Sequence, residues 1–156
     1  MKKIILLCIV LVAMTACNSK SATATRLDRG TQVALKGNWT LAKVVFPGSE
    51  YIKINAFDLA DSKCFVGSQW KFISNNNKGE FALNQGNCPA YSSPITWFIN
   101  DEGKFVMKIL DESKAKKVKE GYVLSVANVT ESSFELIDTV NVGGKSVQVV
   151  YQFVRN

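Results

Sequence analysis

The chain has 156 residues, 19 basic side chains against 13 acidic ones, and no histidine. A formal charge of +6, about +4 once Lys2 and Lys3 are cleaved off, is too modest to imply a nucleic-acid partner. Without histidine the commonest catalytic base and a frequent zinc ligand are both missing, so catalytic and metal roles have little to build on.

The chain opens "MKKIILLCIVLVAMTAC". Two lysines, an apolar run from Ile4 to Ala13 and small residues up to Cys17 form a secretory leader. The run is too short for a membrane span, which needs about 20 apolar residues. The stretch ending at Cys17 resembles a bacterial lipobox. That resemblance implies cleavage before Cys17, acylation of its thiol and stable anchoring by two or three chains. Asn18 follows in place of the aspartate that retains enteric lipoproteins in the inner membrane, so outer-membrane attachment is expected. Residues 1–16 are then the leader, 17–34 the lipidated N-terminus and flexible tether, and 35–156 the domain. "NSKSATATRLDRGTQVA" has the polar, aperiodic composition of such a tether.

From Leu35 onward the period is close to two. "GNWTLAKVVF" predicts a first strand with Trp39 and Leu41 on one face, and "NAFDLADSK" a helical turn. "WKFIS", "EFALN", "ITWFIN" and "KFVMKIL" put Trp70, Phe72, Phe81, Leu83, Ile95, Trp97, Ile99, Phe105, Met107 and Ile109 on inward faces. "DESKAKKVKE" reads as a charged loop or a short helix, its lysines a solvated turn in preference to a lipid or nucleic-acid contact. "YVLSVANV", "SFELIDTVNV" and "KSVQVVYQFVRN" complete about eight strands. The short connections "NNNKG", "NDEG" and "VGG" join neighbours as antiparallel hairpins. An all-β, up-and-down antiparallel barrel of eight strands is predicted. An open sandwich, which can also begin with G-x-W, is the rival.

Cys8 leaves with the leader and Cys17 carries lipid, which leaves Cys64 and Cys88 in an oxidising compartment. They lack the C-x-x-C spacing of a redox pair and the further ligands of a zinc site. A disulfide is predicted, with free thiols as the alternative. Closing a loop of about 24 residues stabilises by about 3 kcal/mol.

Gly37-Asn38-Trp39 at the start of the first strand resembles the lipocalin signature. The resemblance implies that Trp39 plugs one end of the barrel and that Arg155, near the end of the last strand, packs over it. The whole segment from Leu35 to Arg155 is similar to the lipocalin-like domains of Gram-negative lipoproteins.

No catalytic residue, metal ligand or cofactor is expected. Nucleophilic catalysis wants a base beside the nucleophile, and no pair of carboxylates shares an inward face. Asp138 does share the parity of Phe134 and Leu136, and reads as a strand-end polar residue. The aromatic face of Trp70, Phe72, Phe81, Trp97, Phe105, Tyr151 and Phe153 remains. Those seven either line a pocket for a small hydrophobic ligand or fill a solid barrel. A lipid-anchored, non-enzymatic carrier is one expectation. An envelope interaction module acting through loops on a solid barrel, as an inhibitor or complex subunit, is the alternative, with its protein partner unknown.

Overall fold

The structure is a computed structural model that describes residues 30–48, 53–84, 86–110 and 121–156. The lipobox, most of the tether and the basic loop at 111–120 lie outside these residues. The elements are β1 (Gly37–Val45), β2 (Asn55–Ala56), β3 (Ala60–Asp61), β4 (Gln69–Ile73), β5 (Lys78–Leu83), β6 (Tyr91–Ile99), β7 (Lys104–Ile109), β8 (Tyr122–Ala127), β9 (Ser133–Val142) and β10 (Lys145–Arg155). Strands β4 to β10 follow one another as antiparallel neighbours, and β1 pairs with both β4 and β10. That double pairing closes an up-and-down, eight-stranded, lipocalin-like barrel and excludes the open sandwich.

Alternation dictates the interior. Trp70 and Phe72 on β4 are buried while Gln69 and Lys71 between them are exposed; β5, β6 and β10 repeat the pattern. The β1–β10 register slips between Leu41 and Lys43, a bulge that moves the inward face from Trp39 and Leu41 to Val44 and Phe46. The polarity of the outer wall is broken by a cross-strand row, Phe98–Val106–Val123, whose two outer members are about half exposed.

The segment "NAFDLADSK" departs from expectation. It forms no helical turn over its apolar residues. It makes the tight β2–β3 hairpin and then a short 3-10 turn, Ser62–Phe65. Phe57 and Asp58 at its tip both have a φ of about 52°, left-handed backbone that a helix does not contain. Tertiary packing of the Phe57 ring overrides the local helical spacing of Ala56, Phe57, Leu59 and Ala60.

Candidate functional site at the mouth of the barrel

One end of the barrel is sealed by a short-range lock. Residues 30–34 make a helical turn, and Leu35, fully buried, follows it. The Trp39 indole N–H donates to Leu35 O at 2.9 Å, and Arg155 lies over the ring with its guanidinium carbon 4.2 Å from the centroid. The same guanidinium donates to the carbonyls of Ala34, Lys36 and Glu131, at 3.0, 3.1 and 2.6 Å. Gly37 is required by this arrangement. Its φ is 134°, and a Cβ there would come within 2.5 Å of Arg155 Nη1.

The other end is covered by the β1–β4 connection, which carries the β2–β3 hairpin over the opening. Phe57 points down from the hairpin tip and is 5% exposed. Its ring meets Tyr122 edge-on at 5.1 Å and Phe65 at 5.3 Å, stacks on Tyr151 at 5.5 Å and reaches Trp70 at 6.3 Å. The Tyr122 hydroxyl donates to the Phe57 carbonyl at 2.7 Å, with the Asp58 carboxylate 3.3 Å away. Burial, and then the Asp58 charge, push the Tyr122 phenol well above its ordinary pKa. A disulfide between Cys64 and Cys88, Cα atoms 5.7 Å apart, ties the base of this flap to the β5–β6 loop.

The seven candidate aromatic residues are all buried, and the structure divides them into two layers. Phe72, Trp97, Phe105 and Phe153 pack toward the sealed end, with Phe72 5.1 Å from Trp97 and 5.6 Å from Phe105. Phe134 joins this layer, stacked on Phe153 at 4.5 Å, and caps the Trp39 ring edge-on at 4.7 Å. Trp70, Phe81 and Tyr151 form the layer below the flap, with Trp70 and Phe81 stacked at 4.5 Å. Nothing in the alternation had placed Phe57 or Phe65 in this layer, because both come from the connection and not from a barrel strand.

Polar atoms separate the two ends further. All three tryptophan N–H groups are satisfied: Trp39 by Leu35 O, Trp70 by Ser68 Oγ at 2.7 Å and Trp97 by Lys78 O at 2.9 Å. Among the described residues, the buried side-chain oxygens without a hydrogen-bond partner are Ser62 Oγ and Tyr151 Oη. Ser62 belongs to the flap and Tyr151 lies beneath it. Asp138 is half-buried on β9, two residue pairs nearer the mouth than Tyr151, since it faces Val149 while Tyr151 faces Leu136. Burial raises its carboxyl pKa, partly offset by the Thr139 N–H, and burial together with the Asp138 charge lifts the Tyr151 phenol.

The outer wall holds a depression of about 460 Å³ over β4, β5 and β6, edged by Asn38, Gln69, Lys71, Glu80, Pro94 and Asn156. Its rim is polar and open, with the Lys71–Glu80 pair at 3.6 Å exposed on both sides. No group of three or more metal-ligating side chains occurs among the described residues.

No protein-family model matches the chain, and no curated protein matches it. Among solved structures it is similar to bovine odorant binding protein in complex with a selenium-containing odorant. The TM-score is 0.45 and the identity 14%, over 80% of this chain and 72% of that one. The odorant-binding protein from bovine nasal mucosa gives a TM-score of 0.45 at 13% identity, over 79% and 72% of the two chains. The fold assignment stands on the pairing of β1 with β4 and β10.

Proposed function

We propose that this chain is a non-enzymatic, lipid-anchored envelope protein whose barrel takes up a small apolar ligand at the mouth covered by the flap. The anchor is Cys17, placed by "MTAC" after a ten-residue apolar core, and Asn18 favours the outer membrane. The observation that carries the ligand reading is Phe57. It fills the upper barrel from a loop, in a backbone conformation that costs about 1–3 kcal/mol for a non-glycine residue. Burying a phenylalanine stabilises by about 1.5–3 kcal/mol, so the two nearly cancel. A side chain held inside by so narrow a margin is one that an apolar ligand can replace.

The alternative, an interaction module on a solid barrel, draws on the sealed-end layer, where the rings meet at stacking distance, and on the half-exposed row at Phe98 and Val123. Native mass spectrometry of protein purified from its own envelope separates the two readings. A lipid-like mass that leaves on denaturation, together with acyl chains on Cys17, supports the carrier. Tryptophan fluorescence unmoved by every apolar probe, with no bound mass, sinks the carrier and turns the search to the outer wall. Cys17→Ser is expected to release a soluble form, and an unmodified Cys17 in the native protein refutes the anchor.

A further inference from the structure

The polar atoms under the flap specify more than an apolar ligand. Tyr151 is 1% exposed, yet its hydroxyl has no partner among the described residues. Such a group ordinarily finds one, as the three tryptophans of the same core do. Asp138 adds a half-buried carboxylate on the same inward face, and the Lys71–Glu80 ion pair lies on the outer wall and not here. The inward neighbours of Asp138 on β8, β9 and β10 include the apolar Leu124, Leu136, Val140 and Val149, and Tyr122, whose hydroxyl is engaged by the Phe57 carbonyl. Lys53 and Lys145, at this end of the barrel, are exposed.

Resting on the carrier reading, we propose that the ligand has a hydrogen-bond-donating head, best an amine, seated between Tyr151 Oη and the Asp138 carboxylate, with its apolar body in the place of the Phe57 ring. An ammonium donates to both oxygens at once, and a charge-assisted hydrogen bond is about twice as strong as a neutral one. An alcohol donates to Asp138 and accepts from Tyr151, so it binds more weakly. A fatty acid brings a second carboxylate to Asp138 and is rejected, by the repulsion that separates like charges in any poorly solvated site. Tyr122 takes part only through the flap, because its hydroxyl is already engaged by the Phe57 carbonyl.

The test uses the mature chain and three probes of one length, decylamine, decanol and decanoate, followed by calorimetry and tryptophan fluorescence. Decylamine is expected to bind about 10-fold or more tighter than decanoate, the range of a hydrogen bond to a charged group. Asp138→Asn reduces that preference to within about threefold, and Tyr151→Phe, which keeps the ring, weakens decylamine and decanol by about 5-fold or more. Phe57→Ala strengthens all three probes by removing the competing ring, which keeps the head-group ranking readable if the wild type binds weakly. Decanoate binding as tightly as decylamine, or a preference that survives Asp138→Asn, overturns the head-group assignment while leaving the pocket standing. Failure of all three probes with both wild type and Phe57→Ala overturns the pocket itself, and this proposal with it.

Discussion

The two ends of this barrel are closed by opposite means. At the sealed end no buried side-chain polar atom of the described residues lacks a partner. Arg155 spends three donors on three carbonyls and its charge on the Trp39 ring, and Trp39 in turn donates to Leu35. At the mouth the closure centres on one ring from a hairpin tip with left-handed backbone, over two buried oxygens without partners among the described residues. A fold that maximised stability would have treated both ends like the first. The contrast separates the part of the molecule that holds the barrel shut from the part that tolerates a loss in stability for something else.

The largest effect is expected at the sealed end. Trp39→Ala removes a fully buried indole that touches Phe134 and supports Arg155. A change of this kind costs about 4 kcal/mol, a large share of the stability of an ordinary domain. The thermal midpoint should fall by about 10 °C or more. A drop of only a few degrees would show that the lock is decorative and would erase the difference between the ends.

Next in size is the disulfide. The double change Cys64→Ser and Cys88→Ser should lower stability by about 3 kcal/mol through the freed 24-residue loop. Because the bond ties the flap to the β5–β6 loop, amide exchange should accelerate at residues 53–68 before it does around Trp39. Uniform acceleration over the whole barrel would mean that the flap is no separate unit.

Phe57→Gly should cost much less than its burial suggests. Losing a buried phenylalanine ring costs about 3–5 kcal/mol, but glycine relieves about 1–3 kcal/mol of backbone strain, so a net loss of about 2 kcal/mol is expected from chemical denaturation. A loss matching that of Trp39→Ala would place the flap in the permanent core.

How much of this contrast the sequence carries differs between the ends as well. The sealed end was legible through its resemblance to the lipocalin signature, which implies that Arg155 near the last strand's end packs over Trp39. The inward faces of β4 to β7 and of β10 were legible because strand periodicity is a local signal. The mouth was not. Local apolar spacing in "NAFDLADSK" suits a helix, and only the four rings waiting around Phe57 make a left-handed hairpin tip worthwhile. Asp58 is a residue that tolerates such backbone, but a phenylalanine at positive φ has no sequence signature. The slip in β1 at Leu41–Lys43, which turns Val44 and Phe46 inward, is also invisible to a strict period of two. Asp138 shares the inward parity of Phe134 and Leu136, yet its closeness to Tyr151 follows from the β9–β10 register, a pairing between strands that no single strand encodes.

The smallest change should run in the opposite direction to all the others. Burial raises the Asp138 carboxyl above the ordinary value of 3.8, with the Thr139 N–H pulling the other way. A raised pKa means that the folded chain holds this proton more tightly than the unfolded chain does. Its stabilising contribution is therefore complete below about pH 3.8 and disappears as pH climbs through the raised folded value. At neutral pH the ionised group is a net cost that Asp138→Asn removes, since the amide oxygen can still accept from Thr139 without a charge to desolvate. Thermal melts should show the variant slightly more stable than the wild type at pH 7, the gap narrowing as the pH is lowered toward 4. A variant less stable at pH 7, or a gap indifferent to pH, would show that the carboxylate is well accommodated in the barrel. The expected result has a partner in the binding assay, where the same variant should lose its preference for the amine. A residue whose removal strengthens the fold and weakens recognition is present for the ligand, and at the sealed end no substitution is expected to behave that way.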